Sequence, residues 1–147
     1  MKVRSIMNSP AVTANENDSL EQCARRMLAL KIDELPVVND RGELTGFLSA
    51  TDFVAKKTTI SFSRTETLEL FGQWFDKDGI RKIYENAGRI PAKEIMSSPA
   101  ISIGPDEPIK AVFEKIAGTG IHSLVVVEDE KPVGVVSVTD FLKLIVR

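Results

Sequence analysis

The stretch from Ile6 to Phe53 recurs from Ile95 to Phe141, and this internal repeat constrains the fold more than any other feature of the chain. A sequence that repeats a whole pattern of elements folds as two copies of one unit. Ile6-Met7-Asn8-Ser9-Pro10-Ala11-Val12 returns as Ile95-Met96-Ser97-Ser98-Pro99-Ala100-Ile101, an offset of 89 from Ile6 to Ile95. A short strand follows in each copy, Val12-Thr13-Ala14 or Ile101-Ser102-Ile103. Leu20, Cys23, Ala24, Met27 and Leu28 then align with Ile109, Val112, Phe113, Ile116 and Ala117. Their spacing is the apolar stripe of an amphipathic helix. Asp18 or Ser19 can start the first helix, and Asp106-Glu107-Pro108 the second.

Leu35-Pro36-Val37-Val38 and Leu124-Val125-Val126-Val127 read as buried strands, each followed by a hairpin. The hairpin of the second copy is shorter by one residue, so the offset falls to 88 from Gly46 to Gly134. Each copy closes on Gly46-Phe47-Leu48-Ser49-Ala50-Thr51-Asp52-Phe53 or Gly134-Val135-Val136-Ser137-Val138-Thr139-Asp140-Phe141. Here a strand empties into the first turn of a helix. Such a turn offers unpaired N–H groups to an anion, and its Asp can accept from a neutral diol. Ser49 with Asp52, and Ser137 with Asp140, also have the spacing of a capping box. The reading is α/β (α+β), β-α-β-β-α twice, with a helical insert between the copies.

The expected division is unit 1 over 1–57, the insert over 58–90 and unit 2 over 91–147. Phe62, Phe71, Trp74, Phe75 and Tyr84 concentrate the aromatic residues in the insert. Leu68, Phe71 and Phe75 share one helical face, and Ile80, Ile83, Tyr84 and Ala87 another, with Gly88 as a C-cap. Two short helices are expected, packed on the same chain or on a partner.

Charge and composition narrow the function. A net charge of −2 and a pI near 5.5 argue against general nucleic-acid binding. One Cys and one His exclude a Cys/His metal cluster and an intramolecular disulfide, which fits a reducing cytoplasm. No apolar run reaches membrane-spanning length.

Three motifs recur in order: Ile-Met-x-Ser-Pro, then Leu-Pro-Val-Val or Leu-Val-Val-Val, then Gly, two apolar residues and Ser-x-Thr-Asp. Outside the insert the chain therefore resembles a tandem pair of cystathionine-β-synthase (CBS) domains, a Bateman module. The resemblance implies two units related by a pseudo-twofold axis, enclosing two clefts for adenosine-containing ligands: AMP, ADP, ATP or S-adenosylmethionine. It implies no obligatory cofactor, with Mg²⁺ as a companion of a nucleotide, and a homodimer of four domains. By the resemblance, Asp52 and Asp140 hold ribose hydroxyls. Ser49, Thr51, Ser137 and Thr139 contact ribose or phosphate. Val12, Thr13, Ala14, Ile101, Ser102 and Ile103 flank the adenine edge. Ile32 with Pro36, and Ile121 with Val125, surround the ring. His122 reaches a phosphate, and Arg4 and Lys93 are further phosphate partners.

Two departures bear on the ligand. Copy one has Asp33-Glu34 where copy two has His122-Ser123, and neither has an Arg there. The site built on the motif of copy two is thus the favoured one. The function expected is a non-catalytic sensor that relays ligand binding to a regulated protein. The alternative is an assembly module with empty clefts, docking a partner through the aromatic insert. An enzyme is not expected. The chain has no Gly-rich phosphate loop and no His-Glu-x-x-His, and His122 and Ser123 are expected on opposite faces of a strand.

Overall fold

A computed structural model describes residues 1–54, 56–59, 66–75 and 79–146, with the backbone alone at 56–59, 66–68 and 74–75. Unit 1 contains β1 (Ala14–Asn15), α1 (Leu20–Leu30), β2 (Glu34–Val38), β3 (Leu44–Ser49) and a 3₁₀ turn, Ala50–Phe53. β1 pairs parallel to β2, and β2 antiparallel to β3. Three elements follow in the insert: β4 (Lys56–Thr59), β5 (Glu66–Leu70) and β6 (Gln73–Phe75), an antiparallel sheet, before α2 (Ile80–Ala87). Unit 2 repeats unit 1 as β7 (Ser102–Ile103), α3 (Ile109–Thr119), β8 (Ser123–Glu128), β9 (Lys131–Ser137) and a 3₁₀ turn, Val138–Leu144. No helix among the described residues is long and apolar enough to cross a membrane.

Local chemistry accounts for the element ends. Ser19 caps α1 in a reciprocal box with Gln22, and Lys31 closes the helix at a positive φ. Pro108 precedes α3, and Gly120 ends it in the left-handed region. Both long hairpins carry a bulge at the same place, after Val37 and after Val126. The shorter turn of copy two places Asp129 and Glu130 at positive φ, as a two-residue hairpin needs.

The two units exchange their lead-ins. Val3 and Ile6 are buried in the core of unit 2, with Ile103, Val112, Leu124, Val126 and Val136. Ala92 is buried in the core of unit 1, with Leu20, Cys23, Leu35, Val37 and Leu48, and Ile95 and Met96 pack against it. Backbone bonds fix the exchange in matching pairs. Val3 N–H donates to Glu107 and Ala92 N–H to Asp18; Arg4 N–H donates to Pro105 and Lys93 N–H to Glu16. Each apolar core is therefore completed by the other half of the chain, which couples the halves into one folding unit.

The first expected insert helix is a β-hairpin instead. Glu66–Leu70 alternates in character, and Phe71 and Gly72 both take positive φ between paired Leu70 and Gln73. Two consecutive residues in that region make a tight hairpin turn and break a helix. The second helix forms as expected over Ile80–Ala87. Gly88 ends it with φ −57, right-handed, and its carbonyl accepts from Glu21 N–H at the start of α1. Phe71 stacks edge-on against Phe53 and Tyr84, with ring centroids 6.1 and 5.9 Å apart. The Tyr84 hydroxyl donates to the Phe53 carbonyl. These two insert aromatics are thus packed on unit 1 of their own chain. The side chains of Phe62, Trp74 and Phe75 lie outside the described residues.

Candidate ligand-binding clefts

The closing motif of each copy is stitched to the lead-in of the other. Phe47 and Ser97 exchange both backbone bonds at 2.9 Å, and Asn8 and Val135 exchange theirs at 2.9 and 3.0 Å. Ser98 Oγ donates to the Thr45 carbonyl, and Ser9 Oγ to that of Val133. The motif glycines make this approach possible. A Cβ on Gly134 would fall 2.7 Å from the Asn8 carbonyl oxygen; one on Gly46 would meet the Met96 side chain and the Ser97 carbonyl oxygen. The Ser-Pro and Gly motifs are therefore two halves of one inter-unit contact.

Two clefts result, each drawing on both units. The first, of about 320 Å³, lies between Val12, Lys31, Ile32, Asp33 and Glu34 of unit 1 and Ser137 and Thr139 of unit 2. The second, of about 430 Å³, lies between Ile101, Ile121, His122 and Ser123 of unit 2 and Phe47, Ser49 and Thr51 of unit 1. Each cleft has a pair of hydroxyls on its wall. Thr51 Oγ1 donates to Ser49 Oγ at 3.0 Å, and Ser137 Oγ and Thr139 Oγ1 are 2.8 Å apart. This crossing sets each motif against residues of the other copy. The acidic Asp33-Glu34 faces the motif of copy two, and His122 faces the motif of copy one.

Several candidate residues sit elsewhere. The Thr13 carbonyl accepts from Arg26, and the Ser102 carbonyl from Lys115 at 2.7 Å, so both carbonyls already have a charged donor. Ala14 and Ile103 are buried in the ladders beside β2 and β8. Of the six adenine-edge candidates, Val12 and Ile101 line the clefts. Pro36 and Val125 are fully buried in the middle strands beneath them. Arg4 is directed to Asp106 at 3.4 Å and Glu128 at 3.9 Å, and the Lys93 backbone lies against Glu16; neither lines a cleft.

The two motif aspartates differ. Both accept the backbone N–H of their own cap, Ser49 or Ser137, at 2.8 Å. Asp140 is 3% exposed, and its remaining acceptor sites are taken by Asn8 Nδ2 at 2.9 Å, Lys143 Nζ at 2.8 Å and Ser137 Oγ at 3.3 Å. A carboxylate offers about four such sites, so Asp140 has none left for a ribose in this arrangement. Asp52 is half-buried, and among the described residues its Oδ1 has no partner. The positions matching Asn8 and Lys143 are Ser97 and Ala55, a short hydroxyl and a methyl. The turns that follow are 3₁₀ and run four and seven residues, too short to supply the dipole of a full helix.

Ser123 and Glu34 are equivalent positions, and they meet across the pseudo-twofold: Ser123 Oγ donates to Glu34 Oε2 at 2.5 Å. Burial raises the Glu34 pKa above its ordinary value; the Ser123 hydrogen bond opposes this, Asp33 adds to it and His122 opposes it. His122 and Ser123 border the same cleft rather than opposite faces, because β8 begins only at Ser123. The Ser123 hydroxyl is nevertheless committed to Glu34 and not to His122.

The family model of the CBS domain matches twice, over residues 3–57 and 92–147. The chain belongs to the CBS domain family. It is a tandem pair of CBS domains. A CBS domain pair solved in complex with 5′-methylthioadenosine and S-adenosyl-L-methionine is 25% identical, with a TM-score of 0.70 over 99% of this chain and 95% of that one. The CBS domain of a membrane protein from Sphaerobacter thermophilus is 28% identical, with a TM-score of 0.74 over 98% and 87%. Among curated proteins, L-aspartate semialdehyde sulfurtransferase of Methanocaldococcus jannaschii is 27% identical over 97% of this chain and 23% of its own length. An uncharacterized 33.4 kDa protein of Thermofilum pendens is 30% identical over 100% and 44%. The CBS pair thus spans less than half the length of these curated relatives.

Sequence reasoning missed Asn8 and Lys143, which immobilise Asp140; it singled out Glu34 within the acidic pair, but not its place on both clefts of the CBS pair. The difference between Asn8 and Ser97 within otherwise matching lead-ins is the readable signal for the first of these.

Proposed function

We propose that this CBS pair is a non-catalytic regulatory module that binds an adenosine-containing ligand in its inter-unit clefts and passes the change to a partner protein. The observation that carries this reading is the reciprocal construction of the clefts. Each is walled by an apolar residue from one unit, Ile32 or Ile121, and a hydroxyl pair from the other, Ser137/Thr139 or Ser49/Thr51. An adenine ring and a ribose need such a combination of apolar surface and a few convergent polar groups. The relative that holds 5′-methylthioadenosine and S-adenosylmethionine supports the ligand class. A ligand bridging two units acts on their relative arrangement through its differential affinity for two states.

The partnership extends to a second copy. Leu28 and Ile145 are each 80% exposed, and Leu142 and Phe113 add apolar surface on unit 2. We assign this surface to a homodimer, which light scattering should report as twice the chain mass. The alternative, docking through the insert, draws less support, because Phe71 and Tyr84 are already packed against Phe53. The reading is tested by thermal shift with 5′-methylthioadenosine, S-adenosylmethionine, AMP, ADP and ATP, each with and without Mg²⁺. A ligand that binds the native state alone stabilises it by about 2.7 kcal/mol at a hundredfold excess over Kd. No shift with any of them overturns the reading.

A further inference from the structure

We propose that Glu34 sets the ligand class of both clefts, excluding phosphorylated adenosines and admitting uncharged or cationic ones. The inference rests on the adenosine reading above and adds to it which adenosines are held. Among the described residues, Glu34 alone lines both clefts. It begins β2 and sits beside the pseudo-twofold, where its equivalent in unit 2 is the neutral Ser123. One carboxylate therefore faces a ligand in either site. The hydrogen bond from Ser123 holds it in place between them.

Among the described residues, the rest of the lining does not offset it with the groups a phosphate needs. The first cleft sets one Lys, Lys31, against two carboxylates, Asp33 and Glu34. Among the described residues, the second contains Glu34 together with His122, with no Lys or Arg in its lining. Phosphate recognition ordinarily uses bidentate Arg, Lys point charges or a full helix N-terminus. Arg4 is held away by Asp106 and Glu128, and the turns behind Ser49 and Ser137 are short 3₁₀ segments. A neutral thioether or a sulfonium, by contrast, meets no like charge. A sulfonium is attracted to the carboxylate that repels a phosphate.

The test compares affinities for 5′-methylthioadenosine, S-adenosylmethionine, AMP and ATP in wild type, Glu34→Gln and Ser123→Ala. Calorimetric titration gives each ratio, and circular dichroism confirms that each variant is folded. Wild type is expected to bind the first two at least about tenfold more tightly than AMP, with ATP weaker still. Glu34→Gln keeps an acceptor for Ser123 and removes the charge, so it should narrow the gap by about tenfold, raising AMP affinity and lowering that for S-adenosylmethionine. Ser123→Ala loses the hydrogen bond and keeps the charge, and should preserve the preference. AMP binding to wild type as tightly as 5′-methylthioadenosine overturns the proposal, as does an unchanged ratio in Glu34→Gln. So does a ratio narrowed as much by Ser123→Ala. Failure of all four ligands to bind wild type overturns the adenosine reading itself, and the selectivity with it.

Discussion

Asp52 and Asp140 stand at the same place in two copies of one motif, and their surroundings give them different work. Asp140 lies under unit 2, surrounded by Asn8 from the exchanged lead-in, Lys143 one turn on and its own cap. Asp52 caps the same turn with one oxygen and leaves the other without a partner among the described residues. The duplication preserved the cap and let the second function of the carboxylate diverge. In unit 2 it ties the motif to the N-terminal segment; in unit 1 it caps the turn that carries Ser49 and Thr51, which line the second cleft, and does not line the cleft itself. Removing each carboxylate in turn measures the difference. Asp140→Ala should cost about 2–3 kcal/mol, because it strips charged hydrogen bonds from Asn8, Lys143 and the cap. Asp52→Ala should cost about 0.5–1 kcal/mol, the value of a cap alone. Equal losses in urea denaturation would show that the two aspartates are not differently employed.

The glycines extend the comparison. Gly134→Ala drives a Cβ toward the Asn8 carbonyl, which is backbone held by two hydrogen bonds to Val135. Gly46→Ala first meets Met96, a side chain with freedom to turn aside, and then the Ser97 carbonyl oxygen at 2.9 Å. Overpacking of this kind costs about 1–3 kcal/mol, with Gly134→Ala toward the upper end and Gly46→Ala toward the lower. Thermal unfolding of the two variants ranks them. The reverse order would mean that the Met96 side of the contact is the rigid one.

How much of this was legible follows from where the information lies. The repeat, the capping boxes at Ser49/Asp52 and Ser137/Asp140 and the stripes of α1 and α3 are local patterns, and the sequence carries them whole. The exchange of Val3 and Ile6 for Ala92 and Ile95 is not local. Both copies have equivalent lead-ins, so either could pack on its own unit without changing the pattern, and only the three-dimensional path decides. That ambiguity is why the repeat pattern alone does not assign His122 to one motif; the structure sets it in the cleft of Ser49 and Thr51. The β5–β6 hairpin was missed for another reason. Leu68, Phe71 and Phe75 satisfy a helical stripe, and the Phe71-Gly72 turn that contradicts it announces itself by one glycine.

The motif phenylalanines sharpen the contrast further. The Phe53 ring meets Phe71 from the insert, which Tyr84 backs, whereas its equivalent Phe141 is covered by Phe113, which is itself 53% exposed. Both motif phenylalanines are half-buried, unit 1 covering its own with the insert and unit 2 with α3. Phe71→Ala should destabilise the chain by about 1–2 kcal/mol, less than a fully buried Phe because Phe71 is half-buried. Phe113→Ala should cost the isolated chain about 0.5–1 kcal/mol and weaken the proposed dimer instead. Sedimentation and thermal unfolding of both variants separate the effects; a Phe71→Ala chain as stable as wild type would remove the insert from the fold's energetics.

The smallest expected effect concerns the charged and neutral residues that meet across the pseudo-twofold, Glu34 and Ser123. Burial raises the Glu34 pKa, Ser123 and His122 oppose the rise, and neighbouring Asp33 adds to it. A carboxyl with a raised folded pKa binds its proton more tightly in the folded chain than in the unfolded one. Its contribution is therefore fully present below the unfolded pKa and is lost as pH rises through the folded pKa. Gln mimics the protonated form and does not titrate. Glu34→Gln should match wild type at the acid end and become the more stable of the two as pH climbs through that window. Melting temperatures of both proteins across about pH 4 to 8 span the ordinary carboxyl range and beyond, and every other group is common to both curves. The difference between the curves isolates Glu34. A difference that stays constant with pH would mean that Glu34 has the same proton affinity folded and unfolded, and that Ser123 compensates its burial fully.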